Sequence, residues 1–325
     1  MKRTMRYLLI MIIGVTLSCE DSLNPYGSLD EKYVLNCVIR GDSTFQVATL
    51  TKSYMVTNSD PYSNTNDLGI KGAVIRLWNG NDSVAILRDT TISEPEGSKY
   101  NRPYSAYYTN KFQPRANSTV EIEAILPDGR KLTSQASVPA KIVVLPSVSS
   151  NQIPPAEGDD IIIKWSSDQK NPVFIIRLAI YYFKYENGQK ERGVFTVPLN
   201  YTEYNNDLIP VYPKPQSEMA YVVNMETITR AMELISQGDS DKSKYEILSC
   251  IAEVLSLNEE LSFYYNGTAR SNDVYSVKLD ETDYSNIQNG SGLFGVYMRS
   301  FMLLRFTHAY IQSFGYKPGL TEVNK

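Results

Sequence analysis

From residue 32 to about 200, apolar side chains recur at every second position, in short runs closed by turn-forming residues. Gly72–Trp78 sets Ala73, Ile75 and Leu77 against Val74 and Arg76 and ends at Asn79-Gly80. Val120–Leu126 puts Val120, Ile122, Ala124 and Leu126 on one face and Glu121 and Glu123 on the other. A period of two is that of a half-buried strand. Lys32–Arg40, Phe45–Thr51, Ser83–Leu87 and Lys131–Val138 read the same way. Asp128-Gly129 predicts a two-residue hairpin turn in which both residues take positive φ. Short strands at this spacing predict a sandwich of two antiparallel sheets. Pro139, Pro146 and Pro154-Pro155 then break the pattern and place a domain boundary there.

Beyond the boundary Asp160–Ser166 is another alternating strand, and Asn187-Gly188 joins two more, Val173–Tyr185 and Lys190–Pro198. The period then changes. Met225, Ile228, Met232 and Ile235 follow helical spacing between a capping Asn224 and a stop at Gly238. Tyr245–Leu255 suits a strand or a helix, and Ser256 with Glu259 has the spacing of a capping box opening a helix to Tyr265. Gly295–Arg305 is the last strand. The expected fold is mainly β, with two immunoglobulin/fibronectin-like sandwich domains over residues 31–146 and 156–310. The second carries one or two inserted helices, and 311–325 is a tail.

Residues 1–19, MKRTMRYLLIMIIGVTLSC, have a different logic. Lys2, Arg3 and Arg6 precede an apolar run from Tyr7 to Leu17, which is too short for a bilayer-spanning helix of roughly 20 residues and has the form of a secretory signal. Ser18 and Cys19 close it in a way that resembles the lipobox of bacterial lipoproteins, with Thr16 where the common pattern has Leu. The resemblance implies cleavage before Cys19 and acylation of its thiol. Residues 20–30 become a leash, and Glu20-Asp21 resembles the surface-export signal of Bacteroidota lipoproteins.

The whole chain carries 32 basic and 36 acidic residues. Without the three basic residues of the signal, the balance is 29 against 36, a net charge of −7. An acidic body gives no footing for nucleic acid and is repelled by anionic lipid. One histidine, His308, and three cysteines leave little material for a zinc cage or a histidine-based triad, so no cofactor, metal or catalytic residue is expected. Cys37 and Cys250 read as buried free thiols. The loop 58–69 is rich in oxygen ligands, but its spacing is not that of a calcium-binding hand.

Tyrosine is the unusual count, 24 residues against 10 phenylalanines. Tyr100, Tyr104, Tyr107 and Tyr108 gather in one segment, and Tyr181, Tyr182 and Tyr185 in another. Aromatic rings with a polar tip suit half-buried strand positions, and they also serve as stacking anchors for ligands. The segment Tyr100–Tyr108 is the candidate binding loop.

The stretch Tyr284–Tyr297, YSNIQNGSGLFGVY, resembles the closing signature of a family of Bacteroidota lipoproteins catalogued as domain of unknown function 4249. Tyr33-Val34-Leu35-Asn36, Ile70-Lys71-Gly72-Ala73-Val74 and Phe263-Tyr264-Tyr265 resemble its earlier landmarks. The resemblance implies a β-sandwich lipoprotein of the outer membrane, associated with a TonB-dependent receptor. It implies no catalytic residues. The expectation is a non-enzymatic, lipid-anchored protein facing the cell exterior, an accessory or ligand-capture partner of a TonB-dependent transporter. The alternative is a structural adhesin or fimbrial-type subunit.

Overall fold

The computed structural model describes residues 32–53, 67–81, 84–93, 103–145, 151–169, 171–204, 207–270 and 284–319. The first half forms β1 (Tyr33–Arg40), β2 (Gln46–Lys52), β3 (Val74–Asn79), β4 (Val84–Ile86), β5 (Arg88–Ile92), β6 (Tyr104–Thr109), β7 (Thr119–Ile125) and β8 (Lys131–Ser137). Next come β9 (Val143–Leu145), β10 (Gln152–Ile153), β11 (Asp160–Ser166), β12 (Val173–Glu186), β13 (Gln189–Val197), β14 (Asn200–Tyr204), β15 (Asp207–Val211) and β16 (Ala220–Asn224). The remainder is α1 (Met225–Ile235), β17 (Tyr245–Leu257), α2 (Glu259–Arg270), β18 (Phe294–Phe306), α3 (His308–Ser313) and β19 (Lys317–Pro318). The protein is mainly β, with few helices.

One large sheet runs in the order β13-β12-β17-β18-β1-β2-β6-β5 and so joins strands from both halves. Its β18-to-β5 half faces the four-stranded antiparallel sheet β4-β3-β7-β8 across a first core. Leu35, Ile39 and Leu50 from one side and Ile75, Leu77, Ile122 and Leu132 from the other are all fully buried there. Its β13-to-β18 half faces β16-β11-β9 and α1 across a second core, where Trp165 meets Phe174 edge-on at 5.3 Å. The predicted alternation is realised closely: β7 and β11 bury every second side chain.

The two cores meet along β18. Its even-numbered residues point to one face, so Phe294, Val296 and Met298 enter the first core and Met302, Leu304 and Phe306 the second. Ser300 lies between them, buried, and donates to the Ile142 carbonyl at 2.9 Å. A hydroxyl with a backbone partner is tolerated in a seam where an unpaired one would be penalised. The N-terminal end of β18 is parallel to β1, with Cys37 opposite Phe294 and Arg40 opposite Tyr297.

Several local expectations are refined. Tyr245–Leu257 is a strand, paired with β12 on one side and β18 on the other. Its run of apolar residues is ambiguous in sequence because its last turns are buried on both faces: α2 packs Leu261 over Leu255 and Leu257 on the side away from the cores. The capping box does not form. Ser256 is still in the strand and donates to Gln169 Oε1, while Asn258 accepts from the Leu261 N–H at 3.1 Å and opens the helix. At Asp128-Gly129 only Gly129 has positive φ, +86°, and the loop is one residue longer than expected, since Gly129 N–H bonds the Leu126 carbonyl and Leu126 N–H the Arg130 carbonyl. Asn187-Gly188 does turn with both φ positive. The cap at Asn224 also holds, accepting from Glu226 N–H at 2.8 Å. His308 belongs to α3, a short helix capped by Thr307 that lies just past β18.

Candidate binding surfaces

Residues 104–109 of the candidate tyrosine loop are a strand, β6, held between β2 and β5. A strand sends successive side chains to opposite faces, so the tyrosines separate. Tyr107 points into the first core and is 1% exposed. Its hydroxyl donates to the Ile70 carbonyl at 2.6 Å and accepts from the Ala73 N–H at 3.1 Å, and burial pushes the phenol above its usual range. Tyr107 is therefore a rivet fixing residues 70–73 across the core, and presents no ring face to a ligand. This corrects its candidacy. Tyr104 and Tyr108 lie on the opposite face and are half-buried. Tyr108 packs near Phe45, ring centres 6.1 Å apart, and lines a cleft of about 390 Å³ with Val84, Ile86, Arg88 and Lys111. Tyr100, Cys19 and residues 58–66 lie outside the described residues. Asp67, at the end of that oxygen-rich loop, accepts from the Gly69 N–H and from both the N–H and hydroxyl of Ser105.

The second tyrosine group also splits. Tyr182 turns inward, 6.0 Å from Tyr245. Tyr181, Phe183 and Tyr185 face outward, with the Arg192 guanidinium over Tyr181 and the Lys190 ammonium 3.8 Å from the Phe183 ring centre. Cations on aromatic faces stabilise an exposed sheet surface by up to about 1 kcal/mol each.

Two clefts arise that the sequence reading did not single out. The larger, about 800 Å³, lies at the junction of the cores and is lined by Asn117, Ser137, Gln169, Asn171, Asn258 and Glu259 among others. Asn258 is 3% exposed and ties the halves together, donating to the Ser137 carbonyl while capping α2. The other, about 460 Å³, lies on the outer face of the four-stranded sheet and has Trp78 in its wall with Glu121, Glu123, Thr133, Gln135 and Gln288. A signal for it was present: Trp78 shares parity with Arg76, on the polar side of β3.

The distinctive stretch before β18 has a structural account. Residues 286–288 bond β8 through Ser134 and Thr133, and residues 291–293 run alongside β1, where Leu35 N–H bonds the Ser291 carbonyl, Ser291 N–H the Tyr33 carbonyl and Leu293 N–H the Leu35 carbonyl. Asn286 braces the turn into the strand, its side chain donating to the Phe294 carbonyl at 2.7 Å and accepting from the Phe294 N–H at 2.8 Å. Asn36, in the opening landmark, accepts from Leu293 N–H, so the two ends of the chain are stitched by side chains as well as backbone. A Cβ on Gly292, at φ +118°, would lie 2.1 Å from the Leu35 carbonyl oxygen, and one on Gly295 would strike Leu261. Only glycine permits so close a backbone approach at this φ. A family model described as domain of unknown function (DUF4249) matches residues 22–300, taking in the first core, most of the second and this clasp. The chain belongs to that family. No curated protein matches it. Membership carries no assigned activity, and the family's match runs through the fold-closing clasp as well as the residues lining the clefts. The functional reading must therefore come from surfaces and from the N-terminal segment.

Proposed function

We propose that the protein is a lipid-anchored outer-membrane lipoprotein, facing the cell exterior, that acts without catalysis as an accessory or ligand-capture partner of a TonB-dependent transporter. The observation that carries this reading is the order of features in residues 1–21: basic residues, a short apolar run, Ser18-Cys19, then Glu20-Asp21. The first described strand, β1, begins at Tyr33, shortly after the expected leash of residues 20–30. The open clefts on sandwich faces are of a kind suited to recognition.

The fimbrial alternative finds less support. Strand exchange needs a slot that a neighbour's strand can fill. Here the first described strand, β1, is already paired on both flanks, by β2 and β18. The test is metabolic labelling with an alkynyl fatty acid followed by membrane fractionation and a pull-down from solubilised membranes. Label should be incorporated by the native chain and lost in Cys19→Ala, and a large barrel protein should co-purify. Label that persists in Cys19→Ala would overturn the anchor, and a ladder of covalently intact oligomers in place of a barrel would favour the alternative.

A further inference from the structure

We infer that the outer face of the four-stranded sheet is a saccharide-binding surface, with Trp78 as its stacking platform and Glu121 and Gln135 as its hydroxyl-recognising groups. The starting point is where the chain spends its tryptophans. It has two. Trp165 is 3% exposed and packs in the second core, as an indole usually does. Trp78 is on the solvent face of β3, with the exposed Val84 of β4 opposite it on one flank and, on the other, strands that expose acids, amides and hydroxyls. A large aromatic ring left on a solvent face beside unburied acids and amides is the informative exception to hydrophobic burial.

Register determines what surrounds the ring. Glu121 is directly opposite Trp78 on β7, and Gln135 is opposite Glu121 on β8. The neighbouring row is Arg76, Glu123 and Thr133, extended by Gln288 of the clasp, whose side-chain oxygen accepts from the Thr133 hydroxyl at 3.1 Å. Both β3 and β7 are paired on each side, so the platform and its acids stand on the stiffest part of the sheet.

The chemistry of this set selects a class of ligand. A pyranose offers a C–H face that lies flat on an indole and a rim of hydroxyls that both donate and accept. Gln135 and Gln288 provide amides able to do both. Glu123 is ion-paired with Lys131 and with Arg76, the latter at 3.3 Å, so its charge is already matched. Glu121 has no ion-pair partner among the described residues and remains a free double acceptor for adjacent hydroxyls. An apolar peptide would need further hydrophobic pockets; the exposed Val84 and Ile86 beside the ring line the separate cleft by Tyr108, and Trp78 is the only outward aromatic lining this one among the described residues. The inference stands independently of the proposed transporter partnership, since it rests on this face alone.

The test uses the full-length protein in a detergent lacking a sugar headgroup. Cellohexaose, maltohexaose, xylohexaose and mannohexaose are titrated by calorimetry and, in a Trp165→Phe background, by the emission of Trp78 alone. Saturable heat and a matching emission change are expected with at least one of the four. Trp78→Ala should weaken that binding by at least about tenfold, the loss typical of an anchoring aromatic, and Glu121→Gln should weaken it several-fold. Circular dichroism and melting must be unchanged in the variant used. If Trp78→Ala does not fold, Glu121→Gln and Trp78→Phe keep the question open to the same assay. No response to any of the four at about 10 mM would overturn the assignment. So would undiminished binding in folded Trp78→Ala, or a Trp78-dependent response to tetralysine and to none of the sugars.

Discussion

The two cores bury similar side chains but are closed in different ways. The second draws all its buried residues from 142–316, its own half of the chain: β12 and β13 form a hairpin, β17 pairs antiparallel with β12 and β18, and α1 follows β16 without a break. The first is closed from outside its own half. Phe294, Val296, Met298 and Ile287 come from the far end of the chain, and β1 pairs with β18 in parallel. An antiparallel hairpin needs only a turn, whereas a parallel pair of distant strands requires the rest of the chain to bring it back. The first core therefore depends on a clasp from the far half of the chain, whereas the parallel pair at the second, β10 with β18, joins strands of its own half and is two residues long. The glycines and asparagines of 286–295 are the parts of that clasp.

The largest effect expected is from Gly292→Ala. The new Cβ would need positive φ and would overlap the Leu35 carbonyl, a backbone atom that cannot move without breaking the β1 ladder. A destabilisation of about 4 kcal/mol or more is expected. Each core has its own reporter. Cys37 is in the first and Cys250 in the second; both are free and buried, and burial raises the Cys37 thiol to about 12 and Cys250 higher still. Neither should react with a disulfide reagent until its core opens. In Gly292→Ala, labelling of Cys37 should accelerate far more than labelling of Cys250. Equal acceleration would mean that β18 binds the cores into a single unfolding unit, and the contrast drawn above would fail.

Next in size is a matched pair of cavity mutations. Phe294→Ala removes a fully buried ring from the clasped core, and Met232→Ala a fully buried side chain from the helix-covered one. Costs of about 3–5 and 2–5 kcal/mol are expected, read from denaturant midpoints. The comparison sharpens if Phe294→Ala again favours Cys37 labelling while Met232→Ala favours Cys250. It breaks if both expose the same thiol.

How much of this was legible in the sequence follows the same division. Local pattern was readable: the alternation of β3 and β7, the Asn187-Gly188 turn and the cap at Asn224 all stand in the structure. The pairing of β1 with β18 was not, because period-two alternation says which face a residue takes and nothing about which distant strand lies beside it. The glycine cluster signalled a close backbone approach but not its partner, Leu35. For the candidate site the failure was one of parity. Tyr104, Tyr107 and Tyr108 were grouped by proximity in sequence, yet β6 sends Tyr107 to the core and the others away from it. Trp78 lies on the polar side of β3 by parity alone, but its polar neighbours come from β7, β8 and the clasp, which no local pattern brings together.

A smaller effect tests the rivet that replaced the tyrosine site. Tyr107→Phe keeps the ring in the core and deletes the hydroxyl that serves both the Ile70 carbonyl and the Ala73 N–H. Leaving two backbone groups without that partner is expected to cost about 1–2 kcal/mol. An unchanged denaturant midpoint would show that water takes over both bonds, and that the Tyr107 hydroxyl adds nothing to the first core.

The smallest effect is electrostatic and belongs to the same edge of the first core. Burial pushes the Asp67 carboxyl up, but the hydrogen bonds from the Ser105 hydroxyl, the Gly69 N–H and the Ser105 N–H together outweigh it, so the group ionises below its ordinary value of 3.8. A carboxyl with a lowered folded pKa stabilises the fold in its charged form. Its contribution is complete at pH values well above 3.8 and is lost as pH falls below 3.8 through the folded value. Asp67 is largely open to solvent, so screening should keep the difference from Asp67→Asn under about 1 kcal/mol. Melting temperatures of the two proteins should differ at pH 6 to 7, where the carboxylate is charged, and converge toward pH 3. The Asn side chain can still accept from the Gly69 N–H or from Ser105, so any gap that persists undiminished in acid would have to come from shape rather than charge. That result would remove the electrostatic part of the tie between the 67–70 segment and β6 and leave the Tyr107 hydroxyl, beside the backbone bonds of Leu68 and Ile70 to β2, holding this edge of the first core.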